Sequence, residues 1–468
     1  MKIFQNKIII CGLIFWSVIS TLSAQEISTM QFMKGVPQSD LFNPALHNDS
    51  TKLVIGLPGL SGVNYSLNSG FSIDKLLHKG TGILADSLVL DLEKFNNSLS
   101  TSNTISQQLG VPLLYVGYHI KKSFFSLVVS EKAMANLSFD KNLITFLKDG
   151  NASFMGQNYD LGGLKLDAFQ YSEFALGYST SMMNNKLTIG MRAKVLFGKF
   201  AVQTEKMNLK VETAADGSYI NLNSDIKVNM SSPLSAEYDQ DGYFSGMKDI
   251  EFKPVDYMAD TGNKGFAFDF GAVYRLTPKI LLSASLVDIG KINFSNNLLN
   301  LTQAASYKWE GIDFSKSIDT KAEDYVKPSD LIETETNKLT DTFRPKNTDF
   351  SSEAFGMNIP AKIFIGGTYD ISRNFNVGIL DRYYKSANYS QNSITLSANA
   401  LLGKFFSLTG SYSMIGKSNN NLGLGMALRL GFIQIYLVND NVLAIVDPAK
   451  VEIINMRFGL NLLFGRKN

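Results

Sequence analysis

Oily and wet side chains alternate along this sequence with a period of two, and this pattern restricts the fold more than any other feature in it. Neighbouring residues of a strand point to opposite faces, so alternation means two different environments. Across residues 187–197, Leu187, Ile189, Met191, Ala193, Val195 and Phe197 share one face. Thr188, Gly190, Arg192 and Lys194 share the other, before Leu196 interrupts. The pattern returns at 220–229, 266–275, 362–371, 422–431 and 452–464. These runs reach about ten residues, the ~9–11 a tilted membrane strand needs, whereas a mean soluble strand has only ~5–6. Tight polar turns separate several of them: Asn184-Asn185, Thr277-Pro278-Lys279 and Ser372-Arg373-Asn374. A soluble sheet also alternates, but wet faces of Gly, Ser, Thr, Asn and single charges suit a hydrated lumen better than a packed sandwich core. The expected fold is all-β: a transmembrane antiparallel β-barrel of about 14 strands with short helical inserts and long outer loops.

The ends of the chain and its composition agree with export. Lys2 and Lys7 precede a short apolar run over residues 8–19, and Thr21 to Gln25 supply a small-residue cleavage point after Ala24. Residues 1–24 are therefore expected to be a signal peptide, residues 25–50 an N-terminal segment and residues 51–468 the barrel. The only cysteine is Cys11, so a chain trimmed at Ala24 forgoes disulfides, which a sheet closed on itself does not need. Beyond the signal, no segment is a long unbroken apolar run of the kind a spanning helix requires. Hydrophobic residues make up 45% and aromatic residues 11%, yet mean hydropathy is +0.00, as two-faced strands would give. A net charge of +2 implies no basic surface for nucleic acid.

Two inserts carry helical spacing. Residues 86–99 place Leu88, Leu92, Phe95 and Leu99 near one face. Residues 140–150 run from Asp140 at an N-cap position to Gly150 at a C-terminal stop. Either could sit on a rim or fold into the lumen as a plug. Residues 231–264 and 315–352 are polar with little periodicity and read as long external loops.

Charges that face lipid are costly, so alternation sends them inward. On that ground Glu173, Arg192, Lys194, Asp269, Arg275, Arg429 and Arg457 are candidate lumen-lining residues. Two roles stand: ion pairs that brace the wall, or a path that selects solutes. Bracing is favoured, because unpaired charges on adjoining walls are costly. No catalytic set emerges. His47, His78 and His119 have no metal spacing and no cysteine ligand joins them, and neither a Gly-x-Ser-x-Gly elbow nor a phosphate-binding loop occurs. His119 lies in an alternating strand with no identifiable hydroxyl or carboxylate partner for base catalysis. No catalytic, metal or cofactor residue is expected, and the chain is read as non-enzymatic.

Three segments carry a resemblance. Leu41-Phe42-Asn43-Pro44-Ala45 is similar to the start of fatty-acid-transporter-like barrels and of barrel subunits of type IX secretion. Residues 265–294 read strand, turn, strand, then Asp288-Ile289-Gly290. Asn439-Asp440-Asn441 and the run from Asn455 to Asn461 close the chain. Together they resemble a Bacteroidetes family of uncharacterised outer-membrane barrels related to the fatty-acid-transporter type. The last strand also resembles a client signal of barrel-assembly machinery through Arg457, Gly459, Leu462 and Phe464, although a tail follows Phe464. The resemblance implies an outer-membrane location, outer-membrane lipids and the assembly machinery as partners, and no settled activity. Two roles remain open: a channel or transporter for hydrophobic or amphipathic small molecules, and a docking or shuttle subunit for protein secretion or surface attachment.

Overall fold

The computed structural model describes residues 28–47, 51–82, 85–248, 253–403 and 405–465; the expected signal peptide and the last three residues lie outside them. Fourteen strands, each antiparallel to its neighbours, close a barrel. Leu53–Gly56 and Val63–Asn68 form one interrupted strand, β1. The wall continues with β2 (Ser102–Ile120), β3 (Ser123–Asp140), β4 (Lys165–Met182) and β5 (Leu187–Thr213). Strand β6 (Ile220–Ser231) stands outside the wall, followed within it by β7 (Asn263–Arg275) and β8 (Ile280–Phe294). Strand β9 (Asn300–Trp309) is again outside. Phe355–Asn358 and Ala361–Asp370 together make β10, then come β11 (Phe375–Lys385), β12 (Ser390–Leu402) and β13 (Phe406–Ile415). The wall ends with β14 (Ser418–Leu430), β15 (Ile433–Asn439) and β16 (Ile453–Phe464). Leu53 opposite Phe464 and Val63 opposite Phe458 seal the seam between first and last strands. Closure leaves the wall without an edge, the condition for a sheet in lipid.

Side-chain parity decides what faces out. Met191, Phe268, Ile365, Ile379, Leu396 and Leu424 are exposed on the outer surface, and their strand neighbours Arg192, Asp269 and Thr395 are buried inside. An apolar belt of this extent is a lipid-facing surface. Exposed Tyr118, Phe125, Tyr274, Tyr369, Phe432 and Phe464 lie close to one rim, that of the short turns, as an aromatic girdle at a membrane interface would. Among the described residues no helix is long and apolar enough to cross a membrane.

The opposite rim carries the long connections. Strand β5 has 27 residues, far beyond the ~9–11 of a tilted span. Its second half leaves the wall and pairs with β6, which pairs with β9, forming a platform clear of the barrel. The alternating run at 220–229 is thus a strand, but not a wall strand. The helix expected over 86–99 is shorter: Leu88–Leu90 pairs as a strand, and α1 (Leu92–Ser98) begins where the Asp91 carboxylate accepts the Lys94 N–H at 2.8 Å. Helix α2 (Lys141–Asp149) runs as expected between Asp140 and Gly150, whose φ of 67° ends it. Both helices pack on the loop rim around Phe71, Phe95, Leu99 and Phe139, so neither plugs the lumen. The loops over 231–264 and 315–352 contain α3 (Pro254–Ala259) and α4 (Pro328–Phe343).

The outward belt makes a direct prediction. Leu396→Arg, at the middle of β12, should lower stability in phospholipid bilayers by ~2–4 kcal/mol, read by denaturant unfolding.

Candidate functional site

The lumen is filled by residues 28–47. This segment has no periodicity and none of its described residues joins the strand ladder. Side chains of the wall hold it instead. At the loop-side end of β15 the Asp440 carboxylate accepts the N–H groups of Ser28 and Thr29, both at 2.9 Å, and the Thr29 hydroxyl. The segment then descends to the short-turn rim, where Lys34 Nζ donates to the Arg373 carbonyl at 3.1 Å and Gln434 donates to the Gly35 carbonyl at 2.8 Å. It climbs again through Gln38, which exchanges hydrogen bonds with Asn461, to Asp40 and Leu41. It leaves beside the short-turn rim at His47, whose ring stacks on Phe124 and contacts the Ser179 hydroxyl. Met30, Phe32, Met33, Val36 and Phe42 bury against Phe364, Leu380, Tyr436 and Val438 of the wall.

The Asn-Pro-Ala turn, ahead of the first strand, is an anchor in the wall. Asn43 Nδ2 donates to the Ala272 and Ala284 carbonyls and to the Ser283 hydroxyl, while its Oδ1 accepts the Ala45 N–H. Glycines make room for it. A methyl group at Gly271 would overlap the Asn43 side chain, and one at Gly190 would overlap the Pro44 backbone.

Beside the plug runs a belt of buried charge. Arg192 pairs with Asp40 of the plug at 2.8 Å and with Asp269 at 3.3 Å. Tyr115 donates to the other Asp40 oxygen at 3.0 Å. Lys194 meets Asp269 at 2.7 Å and also pairs with Asp288. Lys132 reaches Glu173 and Lys362 reaches Asp288, each at 2.7 Å. Four carboxylates and four cations thus neutralise one another, which is the condition for keeping them out of water. A β-bulge aims one of them. The ladder between β7 and β8 slips at Asp269, Asp288 takes a φ of 62°, and its N–H donates to the Asp269 carboxylate at 2.8 Å. Both Val287 and Asp288 then face inward, which consecutive residues of a regular strand do not do.

Of the residues singled out in the sequence, Glu173, Arg192, Lys194 and Asp269 come together in this belt. Arg457 is buried nearby, its guanidinium over the Phe42 ring of the plug at 5.0 Å. Arg275 and Arg429 do not line the lumen. They stand on the short-turn rim, Arg275 near Asp370 at 3.6 Å and Arg429 donating to the Gly431 carbonyl at 3.1 Å. Asp40, Asp288, Lys132 and Lys362 complete the belt and were missed. Only Asp288 left a sequence signal, in the break of alternation at Val287-Asp288. A cavity of about 90 Å3 adjoins the plug at Leu41, between Lys132, Glu173, Lys194, Asp288, Lys362 and Arg457 on one hand and Leu109, Val128, Met134 and Val287 on the other. His119 is buried between His47 and Phe124, with ring centroids at 5.0 and 4.6 Å, and no group of acidic, histidine or cysteine residues suited to a metal occurs among the described residues.

A family model matches residues 44–440, most of the chain. The chain belongs to the family of unknown function DUF5723. No curated protein matches it. Among solved structures it is similar to the CymD monoaromatic hydrocarbon channel, 10% identical over 94% of this chain and 98% of that one, with a TM-score of 0.39. It is also similar to a Pseudomonas aeruginosa FadL homologue, 12% identical over 94% and 98%, with a TM-score of 0.36. The Pseudomonas putida toluene transporter TodX is 10% identical over 94% and 96%, with a TM-score of 0.35. Superpositions this loose add nothing to what the strand register of this DUF5723 protein shows, and the solutes in those names belong to those proteins.

The belt predicts a cost for opening it. Asp269→Ala strips Arg192 and Lys194 of a shared carboxylate and uncaps the Asp288 N–H. It should destabilise the barrel by ~3–5 kcal/mol in denaturant unfolding, the usual loss when one partner of a buried pair is removed.

Proposed function

We propose that this protein is a gated channel of the bacterial outer membrane for small amphipathic molecules, exported by its signal peptide and opened when residues 28–47 move. The observation that carries the reading is the way the plug is held. Its contacts with the wall are side-chain hydrogen bonds, ion pairs and packing, and none is a rung of the ladder. The plug can therefore leave while the fourteen-stranded wall stays closed. The adjoining cavity supports an amphipathic solute, since its lining combines apolar and charged side chains. The kinship with fatty-acid-transporter-like barrels of Bacteroidetes read from the three sequence segments belongs to the same proposal.

A lock tests it. The hydroxyls of Thr29 on the plug and Ser411 on β13 are 2.6 Å apart. A Thr29→Cys, Ser411→Cys double variant in proteoliposomes should pass octanoate when reduced and lose most of that flux when oxidised. Equal flux in both states would contradict gating by the plug.

A second reading, a docking subunit, draws on the platform. Strands β6 and β9 leave an apolar face only partly covered by α4, with Ile332 and Trp309 exposed beside Leu222 and Tyr307. A platform that captures a secreted protein in crosslinked intact cells, together with no flux in either redox state of the lock, would favour it.

A further inference from the structure

Arg457 is a buried charge beside the belt that no belt carboxylate takes up. It is 4% exposed and lies in the wall of the cavity. The face of its guanidinium is covered by Phe42 and its Nη2 donates to Asn64 Oδ1 at 3.1 Å. Its Nε and Nη1 meet no hydrogen-bond acceptor among the described residues, and no ion pair joins it to a carboxylate among them. A buried guanidinium with two unmet donors is costly, so a fold that keeps one has a use for it. The belt beside it is already neutral, which leaves this positive charge in surplus. Opening increases the surplus. Asp40 is the one belt carboxylate carried by the plug, so when the plug moves, Arg192 keeps only Asp269, and Arg457 loses Phe42.

We infer that the cavity binds the oxyanion group of a small amphiphile on the unmet N–H donors of Arg457, and that the solute admitted is anionic rather than neutral. This inference rests on the channel reading and adds the charge of its solute. A buried guanidinium with unmet donors at Nε and Nη1 offers an oxyanion charge-assisted hydrogen bonds from a fixed, planar group, which a flexible lysine does less well. Apolar side chains of the lining, Leu109, Val128 and Met134, take the start of the chain that the oxyanion carries.

Calorimetric titration of the full-length protein in a non-ionic detergent tests it, with octyl phosphate, 1-octanol and inorganic phosphate as probes. Octyl phosphate should bind at least tenfold more tightly than octanol, and inorganic phosphate should compete with it. Arg457→Gln should erase the preference at an unchanged unfolding temperature, and Arg457→Lys should restore only part of it. Octanol binding as tightly as octyl phosphate to the unaltered protein overturns the inference, whether or not Arg457→Gln folds. A folded Arg457→Gln that keeps the full preference overturns it too. The channel reading fails separately: anion preference without lock-sensitive flux keeps the site and loses the channel, and lock-sensitive flux with no anion preference does the reverse.

Discussion

Arg192 joins two carboxylates that the chain supplies from different elements: Asp40 from the plug, and Asp269 from β7, opposite the bulge in β8. Much else depends on that junction. A wall that closes on itself in lipid sends most charges of its middle inward, Asp381 of β11 being an exposed exception, and inside, where water is scarce, each charge needs a partner. The belt satisfies the demand only with the plug seated, because one of its four carboxylates belongs to the plug. Plug and belt are thus a single electrostatic unit, joined through Asp40 and Arg192, which lie 152 positions apart.

On the proposed gating, this unit is what lets a closed lumen open. The plug contributes no strand, so its displacement costs side-chain contacts and leaves the ladder whole. It also leaves the lumen more positive than before. Glycines at 190 and 271 seat the Asn-Pro-Ala turn against the wall without strand pairing, which makes its position specific and its attachment reversible. Gly459, read in the sequence as part of an assembly pattern, has a packing reason of its own: a methyl group there would overlap the Tyr436 ring, which packs with the plug.

The wall was legible in the sequence because lipid imposes it residue by residue. Phe266, Phe268 and Phe270 alternate with Ala267 and Asp269 since outward positions in lipid favour apolar side chains. The same rule found Glu173, Arg192, Lys194 and Asp269. It misplaced Arg275 and Arg429, because alternation gives the face of a residue and not its height, and both sit where a strand meets a turn. The plug was illegible for a different reason. Residues 28–47 have no period, and the partners of Thr29, Gln38 and Asn43 lie hundreds of positions away, so nothing local marks the segment as interior. The helix expected over 86–99 was half legible: its apolar spacing was real, but the Asp91 cap starts it late.

Hydrogen exchange of the protein in phospholipid bilayers tests the central claim, that the plug is a separable element inside a closed barrel. Amides of residues 28–47 should exchange through a local opening while those of β5, β7 and β8 stay protected for much longer. Exchange of the plug only together with these wall strands, in one cooperative event, would contradict it.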